Sequence, residues 1–66
     1  MDIYLIKDSE NLYFSRSFNK EKWINNRELA YTYTLEEAKQ MFEFLSRIKQ
    51  GLSIENYKTS EVIIKN

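Results

Sequence analysis

One stretch limits what this chain can become more than any other. Between Thr34 and Gly51 the apolar residues Leu35, Ala38, Met41, Phe42, Leu45 and Ile48 recur at spacings of three and four, and the start and stop signals agree with that period. Thr34 and Glu37 form a capping box, in which the Thr hydroxyl accepts from the Glu37 N–H while the Glu carboxylate accepts from the Thr34 N–H. Glu36 and Glu37 oppose the positive end of the helix dipole, and Glu43 and Arg47 make an outward i,i+4 pair. Gly51 is the residue most easily placed at positive φ just beyond the end. The spacing predicts an amphipathic helix from about Leu35 to Gln50 with an apolar stripe that needs a sheet to cover.

The rest of the chain reads as that sheet. Asp2 to Lys7 is β-branched or aromatic on both faces, with Ile3 and Leu5 pointing one way and Tyr4 and Ile6 the other, which suits a well-covered strand. Asp8 to Asn11 is turn chemistry, and Leu12 to Phe18 follows as the second arm of a hairpin, with Leu12, Phe14 and Phe18 inward and Arg16 interrupting the row. Asn19 to Glu28 reads as a loop with a short strand around Trp23, Leu29 to Tyr33 as a third strand, and Tyr57 to Lys65 as the last. The expected fold is therefore α+β: one helix on one face of a three- to four-stranded, mainly antiparallel sheet in the order β-β-β-α-β, forming a single domain over residues 1–66. Its expected core is Leu5, Phe14, Ala38, Met41, Phe42, Leu45 and Ile64, with Leu52 and Ile54 packed across the helix end.

Composition narrows the functions. The chain has neither Cys nor His, so disulfides and zinc cannot support so small a core, and the usual nucleophile and base pairs are missing. We expect no catalytic residue, no metal and no cofactor. Asp8, Ser9, Glu10 and Asn11 lack the spacing of a calcium loop and are explained as a turn. Ten basic residues balance ten acidic ones, which argues against binding nucleic acid or anionic membranes through bulk charge. No apolar run is long enough for a membrane span or a secretory signal, so the expected location is the cytoplasm. Unpaired strand edges and surplus aromatics in a domain of this size favour pairing with a second copy, and a homodimer is expected.

The candidate binding residues follow from where aromatics and cations gather. Arg16, Lys20, Lys22 and Arg27 against Glu21 give a local charge of +3 beside Trp23, a combination that can hold phosphates and stack bases, or that can close one end of the core with a solvated loop. Phe44 lies roughly 100° from the centre of the helix stripe, at its edge or exposed. A sheet with one covered face must turn some tyrosines outward, and Tyr31 and Tyr33 are the candidates nearest the helix.

The layout YLIKDSENLYFS, then Trp23, then LAYTYTLEEAKQMFEFL and a closing EVIIK resembles the short accessory proteins of phages and mobile elements of A/T-rich Gram-positive bacteria. Heavy use of Ile, Lys, Asn, Tyr and Phe, the residues of A/T-rich codons, agrees with such a source. The resemblance implies a stoichiometric, non-catalytic protein of the host cytoplasm that binds a host protein, including those of defence systems, and inhibits or modulates it. Three strands before a helix are also similar to the arm-type DNA-binding domain of some integrases. Those domains are usually basic, and this chain is neutral, so DNA binding ranks second.

Overall fold

The computed structural model describes residues 2–17 and 20–66, with side chains described for all of these except Arg16, Ser17, Lys20 and Glu21. Five antiparallel strands, β1 (Tyr4–Lys7), β2 (Tyr13–Ser17), β3 (Lys20–Ile24), β4 (Ser53–Asn56) and β5 (Val62–Lys65), form one sheet in the spatial order β3-β2-β1-β4-β5, and the helix α1 (Leu35–Ser46) packs on β1 and β4. The α+β class and the central place of β1 are as the sequence implies. The strand number and order are not: the chain runs β-β-β-α-β-β.

Three differences have identifiable causes. The third expected strand is an extended connection: Arg27–Leu29 forms a short 3₁₀ turn capped by the Asn26 side chain, and only Tyr33 pairs, exchanging two hydrogen bonds with Tyr4 on the edge of β1 away from β4. The true third strand is Lys20–Ile24, centred near Trp23, within the segment expected to be mostly loop. The last strand is two, because Asn56 turns the chain between them. Its Oδ1 accepts from the N–H groups of Lys58 and Thr59, Ser60 donates to the Asn56 carbonyl, and Ser60 takes a positive φ of 62°.

The β1–β2 turn is built the same way. Asp8 Oδ1 accepts from the N–H groups of Glu10 and Leu12, and Asn11 adopts a positive φ of 63° before Leu12. The capping box forms as the spacing implies, with Glu37 N–H donating to Thr34 Oγ1 at 3.3 Å and Thr34 N–H donating to Glu37 Oε1 at 3.1 Å. The helix, however, stops at Ser46 and not near Gln50, so Ile48 falls outside the buried stripe and is 64% exposed. Gly51 has φ +80°, and a Cβ there would lie 3.1 Å from that of Ser9, so both backbone and space call for glycine.

Under the helix, Tyr4, Ile6, Phe14, Tyr33, Ala38, Leu45, Leu52 and Ile54 form the core, with Trp23, Leu35, Met41, Phe42 and Ile64 packed against it. Leu52 and Ile54 belong to the centre of this core, not to its end. Leu5 is fully buried too, but on the other face, opposite Glu55 in the register. Phe18, expected to point inward, lies outside the described residues.

Candidate functional site

The residues singled out from the sequence separate into three places. Tyr31, Tyr33 and Phe44 come together. An open cleft of about 270 Å³ lies between the segment preceding the helix and the helix itself, lined by Tyr31, Tyr33, Glu37, Gln40, Met41 and Phe44. The helical residues stand at i, i+3, i+4 and i+7 and so form one row beside the core stripe. Tyr31 and Tyr33, two apart in extended chain, put both rings on the same side, with centroids 4.8 Å apart and planes inclined by 50°. Tyr33 is buried and anchored by its backbone to β1, whereas Tyr31 and Phe44 are 48% and 55% exposed. One oxygen of Glu37 is fixed by the helix cap, which holds the carboxylate at the rim.

Trp23 belongs to the core's periphery. It sits opposite Phe14 in the β2–β3 register, with the two rings edge-on at 5.3 Å, and Lys49 Nζ lies 4.1 Å from the indole centroid. Lys49 also donates to Asp8 Oδ2 at 2.9 Å, so a buried aspartate, a lysine and an indole tie the first hairpin to the chain after the helix. Burial pushes the Asp8 carboxyl up, but the hydrogen bonds from Lys49, Leu12 and Glu10 and the charge of Lys49 outweigh it and leave its pKa below the ordinary 3.8.

Arg27 is on the opposite side of the sheet. Its Nε donates to Glu55 Oε2 at 3.1 Å, its Nη2 donates to the carbonyls of Asn56 and Tyr57, and the guanidinium lies 4.8 Å from the Tyr57 centroid. Lys7 approaches the other oxygen of Glu55 at 3.6 Å. This cation is therefore engaged inside the fold, closing the back of β4. Lys22, whose neighbour Trp23 faces the core, is exposed on the back face. The side chains of Arg16 and Lys20 lie outside the described residues.

Sequence reasoning named the three aromatics of the cleft and missed Glu37, Gln40 and Met41 as their neighbours. The four-residue row Glu37, Gln40, Met41 and Phe44 was the available signal; what lay opposite it was not readable, because a helical pattern does not show which segment docks beside it. The hydroxyls of Thr34 and Thr59 accept bonds from backbone amides, and that of Ser60 accepts from Arg27. Among the described residues, no three acidic side chains gather as a metal site, and no helix is long and apolar enough to cross a membrane. The arrangement at the cleft can receive a flat or cationic group between rings and a carboxylate. The chain matches no family model, and no characterised protein or solved structure is similar enough to it to show a relationship.

Proposed function

We propose that this is a small, non-catalytic binding protein that docks on a host protein and inhibits or modulates it, in the manner of the phage-type accessory proteins it resembles. The observation that carries the reading is the cleft between Tyr31 and Phe44. Two half-exposed aromatics flank a fixed carboxylate on a rigid helix, and aromatic side chains with low entropy cost are what protein interfaces use as anchors. The hydroxyls noted above serve caps and turns, which supports binding over catalysis. The test is capture with the folded chain as bait. One host protein should be retained in stoichiometric amount, and the Tyr31→Ala/Phe44→Ala double variant, which alters only half-exposed side chains, should lose it while melting as before.

A second reading, binding to DNA through the sheet, draws on a different observation. Lys7, Ser53 and Lys65 lie side by side in the register on the face away from the helix, with Lys22 on that face too. We rank it lower because Lys7 and Arg27 share Glu55, whose single negative charge offsets one of these two back-face cations within the chain. Steeply salt-dependent duplex binding with no retained host protein would reverse this order.

A further inference from the structure

We infer that the cleft is a receptor for a single cationic side chain, an arginine or lysine of the partner protein. The inference rests on the docking reading above and gives that site its chemistry. Three features of the site converge. The half-exposed Tyr31 ring, backed at 4.8 Å by the buried Tyr33 ring, offers electron-rich surface to a guanidinium or ammonium group. Glu37 contributes a full negative charge, and since the Thr34 N–H holds one of its oxygens, the other is presented without a further loss of side-chain freedom. Gln40 adds an amide oxygen that accepts from N–H donors, while Met41 and Phe44 supply apolar wall for the aliphatic stem of the incoming residue.

The charge balance agrees with this assignment. The cleft opens beside the first turns of α1, where the helix end amounts to roughly half a positive charge, but Glu36 and Glu37, even set against Lys39 in the next turn, leave these turns net negative. Among the described residues, no lysine or arginine lines the cleft. Of the cations with described partners, Lys49 is held by Asp8 and Trp23, Arg27 and Lys7 by Glu55, and Arg47 by Glu43. A negative, aromatic-walled cleft matches a cationic side chain and opposes an acidic peptide or a phosphate backbone.

The experiment is an amide NMR titration of the isolated chain with blocked arginine amide, with the neutral isostere blocked citrulline amide and with blocked glutamate amide as comparisons. Arginine should give saturable shifts concentrated at Tyr31, Tyr33, Glu37, Gln40 and Phe44, citrulline should bind about fivefold more weakly, and glutamate should leave these residues unmoved. Glu37→Gln keeps the capping box, which accepts Gln as well as Glu, and removes the charge, so it should stay folded and lower arginine affinity by a similar factor. Tyr31→Ala should do the same, and Tyr31→Phe should restore binding. Shifts centred elsewhere, equal affinity for citrulline, the same response to glutamate, or no saturation at millimolar arginine would overturn the inference. A cleft that takes up the probe only after a dimeric chain is diluted would also overturn it, assigning the site to a second copy. Because the titration needs no partner, an empty host capture with a successful titration would remove the proposed target and leave the site.

Discussion

Glu55 shows how a polar residue comes to occupy the middle of this fold. Its carboxylate is buried on the back of β4 and survives there because Arg27 and Lys7 approach its two oxygens and Arg27 also serves the carbonyls of Asn56 and Tyr57. Arg27→Ala should cost about 2 kcal/mol in chemical denaturation, since Lys7 alone then compensates the charge. The Arg27→Met/Glu55→Leu pair should recover most of that loss; a double variant as unstable as the single one would refute the ion-pair account. Asp8 yields a second prediction. Its folded-state pKa lies below the unfolded value, so its contribution is complete above about pH 4 and is lost as pH falls through the folded pKa. Thermal melts of Asp8→Asn should therefore show a flatter acid limb than the parent chain below that pH, with the two curves parallel above it. Neither role was legible beforehand. The turn chemistry of Asp8 was plain from Ser9 and Asn11 beside it, but its partner Lys49 is 41 residues away, and nothing in the sequence around Glu55 shows a distant Arg27.

At the level of elements, what could be read was what is local. The helix start was legible because a capping box is a contact across three residues, and the Asp8–Asn11 turn because its geometry is set by its own side chains. The helix end was not, since Ile48 continues the apolar spacing after the chain has turned towards Gly51, where Lys49 is drawn to Asp8 and Trp23. Alternation in Leu29 to Tyr33 suggested a strand, but Leu29 closes the 3₁₀ turn and is 71% exposed, and within this stretch only Tyr33 pairs. β4 was hidden for the opposite reason: Ser53, Glu55 and Asn56 look like loop, and the turn after them contains neither Gly nor Pro. The helix faces now separate sharply. Leu45→Ala removes a fully buried side chain and should cost about 3 kcal/mol, whereas Phe44→Ala should stay within about 0.5 kcal/mol. Equal losses in urea titrations would show that the helix is rotated from this placement.

For the molecule as a whole, the sheet edges and the charge layout decide how it can meet other molecules. Edge strand β3 carries the exposed Lys22, and edge strand β5 is irregular at Ile63, which has no register partner opposite the Ile54–Glu55 step of β4, so strand-to-strand pairing with a second copy is discouraged at both edges. The homodimer we propose on grounds of chain size must then form through side chains, and exposed Ile48 is the contact outside the cleft that we assign to it. Light scattering should give twice the 8.0 kDa chain mass at high micromolar concentration and a monomer for Ile48→Lys, and a monomeric parent chain would end that proposal. The partner complex offers the sharper test. With zero net charge and Glu37 at the cleft, the host-protein binding we propose would rest on rings and one charge pair, so raising salt from about 50 to 200 mM should weaken it less than about tenfold. A duplex held by six or more phosphate contacts would lose about a thousandfold or more over the same range. The two responses differ by roughly two decades, so one salt titration of whatever the chain binds distinguishes docking at the Tyr31–Phe44 cleft from docking on the lysine row of the sheet, and a steep slope that disappears in Lys7→Ala/Lys65→Ala but persists in Glu37→Gln would move the interface to the back of the molecule.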